Sequence, residues 1–180
     1  MSVENNVARR NLPVKIVLTG ICILIGVMWV YAFGFASRES VNRIGDEAWM
    51  ARSEARCLIA ENERFAIENL DRLDPTNRAD LNKKADIVTI ATDSLEAAIN
   101  DIEADVPNDA KGQAIVPAWI SEYRIYIEDR RDFIEALRTV ERRPYFAETE
   151  IQGVPVSERI GKFARENDMR TCQPPLDLSV

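Results

Sequence analysis

Leu81, Ala85, Val88, Thr92, Leu95, Ile99, Ile102 and Val106 follow one another at alternating steps of four and three residues. That period keeps one side of an α-helix turned toward a neighbour, as in a coiled coil, and Pro107 ends it. The spacing returns in Trp119, Tyr123, Tyr126, Arg130, Phe133, Leu137 and Val140, flanked by Ile120, Ile127 and Ile134. It predicts another long helix with a broader, more aromatic face. Between the two, "PNDAKGQAIVP" reads as a connection, with Pro117 in the first turn of the helix that follows. A short helix is predicted from Ser157 as N-cap through Ile160, Phe163 and Ala164 to about Asn167. The stretch 144–156, punctuated by Pro144, Gly153 and Pro155, suits a β-turn or a small hairpin without fixing either.

Nearer the start, residues 14–36 carry one charge, Lys15, and are otherwise apolar or small over the roughly 20 positions that take a helix across a bilayer. Trp29, Tyr31 and Phe33 close the run with rings suited to a membrane interface. An uncleaved anchor is the expectation. A cleaved signal is the alternative, with Gly34 and Ala36 small enough for a peptidase, although the run exceeds the roughly 7–15 apolar residues usual in such signals. "LTGIC" has Ile21 where a lipoprotein signal needs a small residue, so Cys22 reads as a small apolar side chain.

Beyond the run there is no proline before Pro75 and only Gly45, so the spanning helix is predicted to continue to about Leu73. Val41, Ile44, Ala48, Ala51, Ala55, Leu58, Phe65 and Ala66 recur on it at helical spacing, and the alanines permit close approach of a neighbour. Asp74–Asn77 then supplies turn chemistry and a cap. The predicted fold is all-α: a transmembrane helix continuing into an antiparallel bundle of three long helices and one short one. Its parts are a tail at 1–13, a span at 14–36 and a domain at 37–180.

Charge orients this arrangement. Arg9, Arg10 and Lys15 precede or open the span, whereas Arg38 and Arg43 are the nearest bases after it, so the tail is expected in the cytoplasm and the domain outside. The chain is then a single-pass cell-membrane protein in contact with lipid. Its net charge is -7; only Glu4, Arg9, Arg10 and Lys15 lie before residue 37, which leaves 29 acidic and 20 basic residues, and a charge of -9, in the domain. Such a surface repels phosphate backbones, and nucleic acid is not an expected partner.

Cys57 and Cys172 are the two cysteines outside the apolar run. At about 1.5 Å per residue, a path up the first helix, down, up and down again brings the last helix to the height of Cys57. A Cys57–Cys172 disulfide is therefore feasible. It would hold a tail that Pro174 and Pro175 keep from helix, and in the loop-entropy picture it is worth about 3–5 kcal/mol. Two unrelated thiols are the alternative, which exported chains disfavour.

Candidate chemistry is sparse. The chain has no histidine, which removes Ser-His and Cys-His catalysis, imidazole zinc sites and the Glu-x-x-His pairs of di-metal bundles. No enzyme, cofactor or metal centre is expected. Asp101, Glu103 and Asp105 alternate as in a calcium loop, but Val106 and Gly112 stand where the turn glycine and the bidentate glutamate belong. Arg130 is more telling, since it interrupts an apolar seam where a guanidinium needs a carboxylate or a route to water. It is expected to be one paired arginine in an aromatic core; with Trp119, Tyr123 and Tyr126 it alternatively forms one wall of a pocket for an anionic ligand.

The segments "EARCLIAENERF", "YIEDRRDF" and "GVPVSERIGKFARENDMRTCQPP" together resemble a set of actinobacterial single-pass membrane proteins with helical extracytoplasmic domains. The resemblance covers most of the chain after the span and implies no activity. The layout is also similar to helical extracytoplasmic sensor domains of bacterial receptors, which return through a second membrane helix; no second apolar run of that length occurs here. The expected function is that of a membrane-anchored extracytoplasmic interaction or scaffold module with a protein partner, a subunit of an envelope assembly. The alternative is a small-ligand sensor domain.

Overall fold

A computed structural model of the chain describes residues 12–35, 40–67 and 73–178. Among these residues the chain is mostly helical, with α1 (Leu12–Gly34), α2 (Glu47–Ile67), α3 (Arg78–Glu103), α4 (Ala110–Thr139), β1 (Glu150–Ile151), β2 (Val154–Pro155) and α5 (Val156–Glu166). It divides into two compact units, Met1–Glu39 and Ser40–Val180.

The first unit contains α1. Its stretch Val14–Gly34 is long and apolar enough to cross a membrane, and no residue of it is buried among the described residues. Phe35 turns out of the helix, and Ala36 lies outside the described residues, as does most of the expected tail.

The second unit corrects the first long helix. Residues 40–46 are not helical, so the predicted run from the span to Leu73 is interrupted before α2 begins. The cause is a set of distant partners for the backbone. Asn167, fully buried, accepts a hydrogen bond from the Ile44 N–H at 2.8 Å and donates to the Asn42 carbonyl at 3.0 Å. Asp46 then caps α2 by accepting from the Trp49 N–H at 2.9 Å. α2 is described as far as Ile67, residues 68–72 lie outside the described ones, and Leu73, the predicted end of the helix, is not helical.

A second correction concerns which face of α2 is buried. Trp49, Met50, Ser53, Cys57 and Ala60 point into the core, whereas Ala48, Ala51, Ala55, Leu58, Phe65 and Ala66 are exposed. Of the predicted face only Ile44, ahead of the helix, is buried.

The other helices follow their patterns more closely. Asn77 caps α3, its side chain accepting from the Ala79 and Asp80 N–H groups at 2.8 and 3.3 Å. The predicted seam of α3 is buried through Ile102; Val106 lies past the end of the helix and is exposed. On α4 every seam residue from Trp119 to Leu137 is buried, Arg130 included, while Val140 is the extended C-cap. Pro117, however, lies inside α4 and not in its first turn, because Asp109 caps the helix earlier by accepting from the Gly112 N–H at 2.8 Å. Most of the predicted connection is thus helix.

The stretch that was open in the sequence forms a hairpin, with Glu150 opposite Pro155 and Ile151 opposite Val154. Gln152 and Gly153 both have positive φ, 57° and 76°, the geometry of a tight two-residue hairpin turn. The hairpin also moves the start of α5. β2 leads directly into α5, which starts at Val156 with Pro155 as its N-cap, so Ser157 is not the cap; its N–H donates to the Glu148 carboxylate, ahead of the hairpin, at 3.1 Å.

Side-chain pairs give the sense of the helices. Arg52 at the start of α2 meets Asp105 just past α3, and Glu63 near the end of α2 meets Ser94 within α3, so the two run in opposite directions. Arg124, Arg131 and Arg138 of α4 meet Glu103, Glu96 and Asp86 of α3 in the reverse order. Buried aromatic residues fill the interior between them. Trp119 stacks on Phe163 at 5.0 Å and meets Trp49 and Tyr123 edge-on at 6.5 and 5.1 Å.

Candidate functional site

The segment after α5 organises the interior, and its course begins at the end of that helix. Asp168 adopts a left-handed conformation with φ 57°, and the Met169 N–H reaches back to the Ala164 carbonyl at 2.9 Å, a helix stop of the Schellman type. Met169 is buried, and the chain then crosses α2. Thr171 donates from its N–H to the Glu54 carboxylate and from its hydroxyl to the Glu54 carbonyl, at 3.0 and 2.9 Å. Cys172 is disulfide-bonded to Cys57 with a Cα–Cα distance of 5.1 Å, and both residues are buried. The hydroxyls of Tyr123 and Tyr126 on α4 donate to the Cys172 and Pro175 carbonyls.

This course delivers Asp177 to Arg130. The guanidinium donates from Nη1 and Nη2 to the two carboxylate oxygens at 2.9 Å each, and from Nε to the Thr92 hydroxyl at 2.9 Å. The Thr92 hydroxyl donates to the Val88 carbonyl at 2.7 Å, which turns the oxygen lone pairs toward Arg130. The Arg130 side chain is 0% exposed and that of Asp177 11%. Burial opposes the charge on Asp177, but the hydrogen bonds and positive charge of Arg130, with Arg64 and Lys84 adding to them, hold its carboxyl below the ordinary value. Burial likewise works against the Arg130 cation, and Asp177 more than compensates. Burial pushes the Tyr126 hydroxyl up to about 12 and that of Tyr123 well above its ordinary value.

The four residues picked out as a pocket wall therefore lie together, in the core. Trp119, Tyr123, Tyr126 and Arg130 are each 2% exposed or less. Three donors of Arg130 are engaged by the protein itself, in the paired-arginine arrangement. Sequence reasoning left its carboxylate unnamed, and the missed residue is Asp177. The signal was there: in "PPLDLSV" it is one acid among apolar residues and prolines, an unfavourable composition for a solvated strand of chain.

Of the acids that alternate before Pro107, Glu103 pairs with Arg124 and Asp105 with two arginines of α2. Asp105 accepts from Arg52 at 2.8 and 3.1 Å and from Arg56 at 2.9 Å. Among the described residues no three acidic or cysteine side chains gather closely enough to hold a metal ion.

Two surface features remain. One is a groove of about 470 Å³ beside the disulfide, where Arg64 and Phe65 of α2 face Leu95 of α3 and Arg170 and Pro174 of the following segment. The other is the outward side of α2, where Leu58, Ile59 and Phe65 are 43%, 61% and 54% exposed among exposed alanines. Exposed apolar side chains in line along one helix are a mark of contact with something else. Comparison of the chain with protein-family models, with curated proteins and with solved structures finds no match, and the geometry alone carries the functional assignment.

Proposed function

We propose that this protein is a membrane-anchored extracytoplasmic interaction or scaffold module, a subunit of an envelope assembly, built as an antiparallel helical bundle on a single-pass signal anchor. The observation that carries this is the outward side of α2, opposite the core, where Leu58, Ile59 and Phe65 stay exposed among the described residues. Two features support the location. An apolar helix with no buried residue suits lipid better than water, and a buried disulfide suits an oxidising compartment outside the cytoplasm. The basic residues ahead of α1 favour a cytoplasmic N-terminus.

The groove beside the disulfide supports a second function, a sensor for a small ligand that carries a carboxylate, because Arg64 and Arg170 border it, with Glu61 and Asp177 lining it as well. Affinity purification from detergent separates the two. A stoichiometric protein partner supports the module, whereas a lone chain whose melting temperature rises with small carboxylates supports the sensor. Protease added to intact spheroplasts should remove the region after Ser37 and spare an N-terminal tag. Protection of that region would overturn the orientation.

A further inference from the structure

Along the outward side of α2, Ala48, Ala51, Ala55, Leu58, Asn62 and Phe65 follow one another at steps of three and four residues, diametrically opposite the buried face. This is a complete coiled-coil seam on a helix whose other side is already packed. We infer that its occupant is the same seam of a second copy of this chain, with the two α2 helices parallel and in register. The inference rests on α2 being the interaction surface proposed above and names the partner.

Three features select a second copy in that orientation. The seam fits itself: on a two-fold axis parallel to the helices each residue meets its own counterpart, the alanines at 48, 51 and 55 letting the backbones approach and Leu58 and Phe65 filling the space beyond. Asn62 is the polar member, and opposite itself its amide both donates and accepts. An antiparallel pair that set residue 48 against 65 would bring Asn62 against Ala51 instead, and one polar residue on such a seam is a known selector of register.

Charge agrees. One edge of the seam carries Glu47, Glu54 and Glu61, and the other carries Arg52, Ile59 and Ala66. One residue on each edge is held by the fold, Glu54 by the Thr171 N–H and Arg52 by Asp105. A parallel pair sets the first edge of one helix against the second edge of its partner, which brings Glu47 beside Arg52 and no two glutamates together. An antiparallel pair sets the three glutamates against their counterparts and repels.

Cysteine cross-linking of the full-length chain in its native membrane tests this, in a Cys22→Ser background with Ala48→Cys, Ala55→Cys or Phe65→Cys on the seam and Glu63→Cys off it. Under mild oxidation the three seam variants should each give a band at twice the chain mass, and Glu63→Cys should give at least tenfold less. Retention of the Cys57–Cys172 link on non-reducing gels shows that each variant is folded. Leu58→Glu, in the Ala55→Cys chain, should reduce the dimer band at least tenfold without changing that link. The inference is overturned by equal linking on and off the seam, by linking of Ala55→Cys without Ala48→Cys and Phe65→Cys, by bands at the mass of a different protein, or by no band at all. A stoichiometric foreign partner with no dimer band would leave the interaction module standing and remove self-association. Seam-specific dimers in a soluble fraction would do the reverse to the anchor.

Discussion

Replacing Asp177 by alanine strips the Arg130 guanidinium of two charge-assisted hydrogen bonds, each 2.9 Å long, and leaves the cation 0% exposed with the neutral Thr92 and Tyr126 hydroxyls beside it. Breaking a buried pair from one side costs about 3–5 kcal/mol, because the surviving charge has lost both water and its counter-ion. The two halves of the pair are not equivalent. Arg130→Met leaves Asp177, which is 11% exposed and has Arg64 and Lys84 nearby, so the residual charge is partly solvated and partly neutralised. Its cost should be about half as large or less. Removing both, as Arg130→Met with Asp177→Leu, should bring stability back to within about 1 kcal/mol of the parent chain. Urea denaturation of the full chain in detergent, followed by circular dichroism, gives the three differences and hence the coupling energy. Acid titration adds an independent check. The folded carboxyl of Asp177 lies below its ordinary value of 3.8, so its contribution is present above that pH and is lost as pH falls through the folded value. Asp177→Ala should flatten this part of the curve. Single substitutions costing under about 1 kcal/mol, with a double variant equal to their sum, would mean that the pair is solvated and that the interior described around it is wrong.

The Cys57–Cys172 bond closes a loop of 115 residues, for which the chain-entropy relation gives about 5 kcal/mol; Cys57→Ser and Cys172→Ser should each lower the melting temperature and the double variant should add little to either. Gly112 has no room for a side chain, since a Cβ there would stand 2.7 Å from Asp109 Oδ1 and 2.8 Å from Pro107 Cβ. Gly112→Ala should therefore destabilise by about 1–2 kcal/mol net of its better helix propensity, measured by the same urea titration. At alkaline pH the raised hydroxyls of Tyr123 and Tyr126 give stability that is intact below the ordinary tyrosine value of 10.0 and is lost as pH rises through about 12. Ultraviolet difference spectra should accordingly show both rings ionising only together with loss of helix, and their ionisation in a still-folded chain would refute their burial.

The sequence by itself determined the features that depend on neighbours a few residues away. The seams of α3 and α4 were legible because each helix has one apolar side, so its period dictates which residues are buried, and Asn77 was legible as a cap because capping is a contact across three residues. The apolar run of α1 and the pairing of Cys57 with Cys172 were legible for a coarser reason, composition and count. Tertiary structure decided the rest. Nothing between residues 37 and 47 forbids helix locally; it is Asn167, more than a hundred residues away, that takes the backbone groups of Asn42 and Ile44 and breaks the run. The heights reckoned along a continuous first helix fail with that break, although the disulfide they suggested is formed.

α2 shows why periodicity alone is insufficient when a helix carries two apolar faces. Ala48, Ala51, Ala55, Leu58 and Phe65 keep the better spacing, yet Trp49, Met50 and Cys57 are buried, because large rings and a disulfide gain more from the core than methyl groups do. Arg130 announced its need for a carboxylate by its seam position, but the identity of Asp177 depended on a path through a left-handed turn at Asp168, the disulfide and two tyrosine hydroxyls. Local physics fixes what a side chain requires; the fold decides which distant residue supplies it, since that choice is made by the packing of the whole chain.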